Sequence, residues 1–216
     1  MARRNDHSRE EIKQMVLDEA ERLAAEHGPG FLTARRVSSG IGYTVASIYL
    51  VFKNLDDLAM QVNARTLERL CRQLEQAVCS HPEARLNIIE FGRGYLRFAA
   101  NHPHLWKMLF EARSSSKTPI PDWYRRQILQ PMQILEPHLA DLRPDLGAES
   151  VRGAARALWS GIHGICILSN TGRLDISGIG EIESACEEFC EYFIAGWSDA
   201  AKSGAIRRDS GVQEKA

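Results

Sequence analysis

The residues of this 216-residue sequence that could do chemistry gather in two places. The first is Leu32 to Leu58, LTARRVSSGIGYTVASIYLVFKNLDDL, where hydroxyl, aromatic and basic side chains surround Gly42. It reads as two short helices joined by a glycine turn, the second presenting small, polar and aromatic side chains outward, which is how a protein enters a DNA groove. The second is Trp159-Ser160-Gly161-Ile162-His163-Gly164, where Trp159 and His163 lie four apart on one helix face. A catalytic or metal-bound histidine needs partners, and no HxxxH, HExxH or Cys/His cluster accompanies it. His163 therefore reads either as a hydrogen-bonding core residue or as the lining of a ligand cavity. No catalytic set, metal site or cofactor is expected, and the chain is not read as an enzyme.

The elements that position the first stretch follow from local signals. Ser8 and Glu11 form a capping box, and Ile12, Met15, Val16, Ala20, Leu23 and Ala24 recur at helical spacing until His27-Gly28-Pro29-Gly30. Phe31, Val37, Ile41, Ile48, Phe52 and Leu58 can cover that apolar face, giving a three-helix unit. Thr33 is placed to cap a helix to about Ser39, Gly42 to take positive φ, and Thr44 to open a helix from Val45 to about Val51. Ile48 and Phe52 then point inward, leaving Val45, Ser47 and Tyr49 for a groove.

The rest is helical. Asn54 caps a helix to about Cys79, another spans Pro82 or Glu83 to Ala100, and a short one follows Asn101-His102-Pro103. Residues Ser114 to Pro121 read as a loop, and the helix from about Asp122 is expected to kink or stop at Pro131, with Pro137 to Gly147 a connection. Glu149 to about Asn170 and Gly180 to about Ser203 close the fold, with Gly172 and Gly178 between them. Residues 1–7, which include Arg3 and Arg4, read as an arm, and 206–216 as a disordered tail.

Composition sets the class. The chain is 44% hydrophobic and 25% charged, as in ordinary soluble proteins. Its net charge of -1 excludes a bulk attraction for nucleic acid, and residues 1–55 hold eight basic against seven acidic side chains, a local charge of only +1. Five cysteines without a CxxC pair point to a reducing cytoplasm, with Cys186 and Cys190, four apart, as core packing. No apolar run reaches the ~18 residues of a membrane span.

The helix-turn-helix resembles the TetR family of bacterial transcriptional regulators. That family has Thr opening the second helix, Gly in the turn and Tyr-x-x-Phe closing the recognition helix, and these stand here as Thr33, Gly42 and Tyr49-Leu50-Val51-Phe52. The resemblance covers residues 8 to 60. Leu55 departs from it, standing where the family usually carries a phosphate-contacting lysine, and Lys53 is the candidate replacement; Ser38 and Tyr43 also replace the usual types. The stretch from Trp159 to Gly164 is similar to the Trp-x-x-x-His-Gly signature of one carboxy-terminal domain class of the family, the WHG class.

By matching positions, the resemblance implies that Thr33, Thr44, Tyr49 and Lys53 hold phosphates of double-stranded operator DNA, while Tyr43, Val45, Ala46 and Ser47 lie near base edges. It further implies an effector cavity among the central helices, drawing on Tyr95, Phe98, Leu105, Met108, Leu109, Trp123, Ile128, Trp159, His163 and Ile167, for a small hydrophobic or aromatic molecule. The last two helices would pair across a two-fold axis into a homodimer, because two recognition helices about 34 Å apart read a palindrome.

The sequence thus reads as all-α: a helix-turn-helix domain over 1–54, a larger helical effector-binding and dimerisation domain over 55–205, and a tail over 206–216. Its function reads as a ligand-responsive repressor in the cytoplasm, with no membrane role. The rival is an all-α small-molecule-binding protein or enzyme with no DNA role.

Overall fold

A computed structural model describes residues 7–79, 81–111, 120–170 and 181–203. The Arg3-Arg4 arm, the loop over 112–119, Gly172 and Gly178, and the tail over 206–216 fall outside them. The described residues are helical and contain no strand, the all-α class expected.

Helix α1 (Arg9–His27) starts where Ser8 takes the amide of Glu11 and the Glu11 carboxylate takes the amide of Ser8 at 2.6 Å. Hydrogen bonding from Ser8 holds the Glu11 carboxyl below its ordinary value. Its apolar stripe, Val16, Leu17, Ala20, Leu23 and Ala24, is buried. Helices α2 (Ala34–Gly40) and α3 (Val45–Tyr49) follow, then α4 (Leu55–Val78), where Asn54 Oδ1 accepts the amide of Asp57 at 2.8 Å. Phe31 departs from the expected core: it sits in a 3-10 turn, 41% exposed, against the His27 ring and under the Arg36 guanidinium, and Leu32 is buried instead.

Helices α5 (Ala84–Asn101) and α6 (Pro103–Glu111) meet at His102, as the sequence predicts. Helix α7 (Asp122–Leu142) differs: it is continuous through Pro131 and Pro137, so it neither stops at Pro131 nor gives way to a connection at Pro137. Each proline removes one intrahelical donor. Burial of Pro131, Met132, Leu135 and Leu139 offsets that loss, and a lock fixes the far end. There the buried Arg143 pairs with Asp145 at 2.7 Å and donates to the Trp197 carbonyl at 2.8 Å, while Trp197 Nε1 donates to the Leu139 carbonyl. Helices α8 (Ala148–Asn170) and α9 (Ile182–Ser203) pack along one another. None of the described helices is long and apolar enough to cross a bilayer.

The described residues group into two compact units, one within Met1–Arg69 and Asn101–Gln127, the other within Leu70–Ala100 and Ile128–Ala216. These units cut the chain differently from a functional division at Asn54. The first core joins Val16, Ala20, Val37, Ile48, Phe52, Leu58 and Val62 to Leu105 and Met108 of α6. Across it, Arg65 of α4 reaches Asp18, Glu21 and Gln14 of α1, and Arg69 also pairs with Glu21.

In the second unit, close approach depends on two missing side chains. A Cβ on Gly161 would stand 2.0 Å from Phe189 Cζ, and one on Gly92 would stand 2.9 Å from Cys186 Sγ and 3.3 Å from Cys190 Sγ. Both cysteines are buried and outside any disulfide, so the pair fills core volume as expected. Gly92→Ala should cost about 1–3 kcal/mol in urea unfolding. Adding Cys186→Ala should leave the double variant more stable than the sum of the single losses, since it removes the nearest atom.

Candidate nucleic-acid interface

Helix α2 is capped by Thr33, whose hydroxyl accepts the amide of Arg36 at 3.3 Å. The chain turns at Gly42, with φ +72°, and the Tyr43 amide returns to the Ser38 carbonyl at 2.9 Å. Only a residue without a side chain takes that φ at little cost. Thr44 then caps α3, its hydroxyl accepting the Ser47 amide at 3.3 Å and lying 3.0 Å from the Ser47 hydroxyl.

Helix α3 is five residues long, shorter than expected, because Leu50 ends it. Its inner side is closed by Ile48, with Phe52 just beyond, both buried in the first core. What remains faces out: Thr44, Val45, Ala46 and Tyr49, the last 49% exposed, with Ser47 and Tyr43 half-buried. The sequence-predicted set is thus brought onto one short helix and its N-terminal turn, flanked by half-buried Thr33 and exposed Lys53. Leu55 packs against the core, while the Lys53 amide donates to Asp57 at 2.9 Å and leaves its side chain to solvent.

Three neighbours escape sequence reasoning. Leu50 is 66% exposed beside Tyr49, His7 Nδ1 lies 2.8 Å from the Tyr43 hydroxyl, and Arg9 donates to the Leu50 carbonyl. The only local signal for His7 and Arg9 is that they flank Ser8, the cap of α1.

The expected effector residues divide between the units. Tyr95, Phe98, Ile128, Trp159, His163 and Ile167 belong to the second, whereas Leu105, Met108, Leu109 and Trp123 belong to the first. Leu105 and Met108 are packed in its core with the α1 stripe. In the second unit Tyr95, wholly buried, places its hydroxyl 3.1 Å from His163 Nδ1. Trp159 lies parallel to the His163 ring at 5.0 Å, and its buried Nε1 has no hydrogen-bond partner among the described residues. Burial holds the His163 imidazole below its ordinary value and pushes the Tyr95 phenol well up. The result is an apolar helical core with a small neutral polar centre.

Elsewhere in that unit, α8 and α9 line an apolar groove. Gly153, Ala154 and Ala157 stand opposite Tyr192, Phe193 and Gly196, with Tyr192 75% exposed.

Residues 88–192 match a family described as the tetracyclin repressor-like, C-terminal domain. No curated protein matches the chain. Among solved structures, a protein of unknown function from Rhodococcus sp. RHA1 is similar over 90% of this chain and 98% of its own, at 19% identity and TM-score 0.70. A TetR-family transcriptional regulator from Streptomyces coelicolor is similar over 91% of this chain and 86% of its own, at 14% identity and TM-score 0.65. The transcriptional regulator FadR from Bacillus subtilis, in complex with stearoyl-CoA, is similar over 85% of this chain and 98% of its own, at 17% identity and TM-score 0.59.

The state of His163 has a measurable consequence. An imidazole with a lowered folded value binds fewer protons folded than unfolded below the ordinary value of 6.5, so stability falls on acidification. Urea unfolding at pH 7.5 and pH 5.5 should show that loss, and His163→Gln should show a smaller one.

Proposed function

From a chain that carries a tetracyclin repressor-like carboxy-terminal domain and has the fold of TetR-family transcriptional regulators, we propose a homodimeric, ligand-responsive repressor of palindromic operators. The observation that carries this reading is α3: Thr44 caps it, Ile48 anchors it, and Val45, Ala46 and Tyr49 are exposed on its outer side. Such a helix has an outer surface narrow enough for a major groove.

In this reading Thr33, Thr44, Tyr49 and Lys53 hold phosphates, and Tyr43, Val45, Ala46 and Ser47 face base edges. The Thr33 hydroxyl accepts from a backbone amide, which leaves its proton to donate to a phosphate oxygen, and the Thr44 and Ser47 hydroxyls, 3.0 Å apart, share one hydrogen bond and leave one proton between them to donate outward. The effector is a small hydrophobic or aromatic molecule held in the second unit near Tyr95, Phe98, Ile128, Trp159, His163 and Ile167. The stearoyl-CoA held by the Bacillus subtilis regulator supports an apolar ligand in this fold. The groove between α8 and α9 supports the dimer, since Gly153 and Gly196 have open space above them and admit a second helix pair. Helix α4 contributes residues to both units, and a shift of it on effector entry would move the reading heads. Linkage makes the coupling reciprocal: DNA should weaken effector binding by the factor that effector weakens DNA binding. The site of action is the cytoplasm.

Gel-shift titration against the DNA upstream of the chain's own gene tests the core of this reading, and binding that is equal on scrambled DNA would overturn it. Tyr49→Phe should weaken binding to all duplexes by about fivefold, the worth of one hydrogen bond. Val45 or Ser47 substitutions should instead change base preference. Tyr192→Glu together with Gly196→Leu should convert the dimer to monomer in analytical ultracentrifugation.

A further inference from the structure

Helix α3 is tied at both ends to the residues that flank the cap of α1. Ahead of it, His7 Nδ1 meets the Tyr43 hydroxyl at 2.8 Å, with the two rings edge-on at 6.2 Å. Behind it, an Arg9 amino group donates to the carbonyl of Leu50, the residue that ends the helix. Ser8, between them, is held on both sides by the capping box. The two bonds reach 36 and 41 residues along the chain from one fixed turn of backbone.

The physical need for such ties is plain. A five-residue helix cannot maintain itself, since isolated helices below about 12 residues are marginal. Ile48 and Phe52 fix its distance from the core, but anchoring along one line leaves it free to roll. Side chains stand about 5 Å from a helix axis, so a roll of about 10° moves a tip by about 1 Å, enough to spoil hydrogen-bond geometry. Contacts beyond the two ends oppose that roll. The terminal carbonyls of a helix lack internal partners and carry its negative pole, so the guanidinium on Leu50 both satisfies and complements that end.

We propose that His7 and Arg9 form a clamp that sets the pose of α3 in the groove, positioning Val45, Ser47 and Tyr43 for base recognition rather than serving as phosphate contacts themselves. This rests on the DNA-reading function proposed above. The clamp governs selectivity between sequences, whereas a phosphate contact would govern affinity for all of them.

The test uses the full chain and a duplex selected by the wild-type protein from a random pool, compared with its scrambled version, each titrated over a range of salt. Arg9→Gln, His7→Phe and Tyr43→Phe should each lower the ratio of selected to scrambled affinity, Arg9→Gln by about tenfold. The salt slope on scrambled DNA should not change. The double variant His7→Phe/Tyr43→Phe should be no less selective than the weaker single one, because both remove the same bond. A drop of about 0.9 in the salt slope of Arg9→Gln with an unchanged ratio would make Arg9 a phosphate contact and overturn the clamp. If Arg9→Gln shows a lowered thermal midpoint, His7→Phe decides, since it removes neither a charged guanidinium nor a group placed at the base edges; retained selectivity in His7→Phe overturns the clamp. A wild-type protein with no selected duplex would overturn the function itself, whereas a selective wild type with selective variants overturns only the clamp.

Discussion

Burial of Ile48 and Phe52 in one cluster with Val16, Ala20, Val37 and Leu58 is the interaction on which the amino-terminal unit depends. A helix as short as α3 gains little from its own hydrogen bonds, so its place is decided by side chains it hides. Burying each of those two residues is worth about 1.5–3 kcal/mol, more than any single cap around them. The caps do a different job: Thr44 ends one conformation and begins another, and Gly42 gives the turn a backbone angle that other residues resist.

That arrangement places few charges where DNA would lie. The first 55 residues are nearly neutral, and Leu55 faces the core rather than solvent. In the proposed reading a head of this kind would not rely on ion release for its grip, and shape, hydroxyl donors and small side chains would carry the contact. The second unit answers a similar need in its interior. Its one described buried charge, Arg143, is paired with Asp145, and burial holds the imidazole of His163, beside the Tyr95 hydroxyl, below its ordinary value.

The legible parts of this fold were those written in neighbouring residues. Ser8 with Glu11, Thr33, Gly42, Thr44 and Asn54 each act within four positions, and each stands where its type predicted. What escaped the sequence depends on distant partners. Phe31 lies outside because the 3-10 turn after Gly28 delivers Leu32 to the core instead. Pro131 and Pro137 were read as breaks from their missing donors, yet the apolar stripe of α7 and the Arg143 lock outweigh two lost bonds. Leu105 and Met108 were placed in a cavity by the family resemblance, whereas α6 packs them onto α1, nearly eighty residues earlier in the case of His104 and Ala25, whose side chain and carbonyl meet at 2.9 Å. His7 and Arg9 carried no periodic or motif signal at all.

The interleaving of α6 with α1 has a consequence for how the protein is made. The amino-terminal core includes Leu105 and Met108, so a ribosome must deliver α4, α5 and α6 before α1 to α3 can finish packing. Synthesis proceeds at about 5–20 residues per second, which leaves Val16, Ile48 and Phe52 incompletely covered for several seconds. A chain stopped at residue 54 would therefore hold every element of the helix-turn-helix, yet lack Leu58, Val62, Leu105 and Met108, which complete its core.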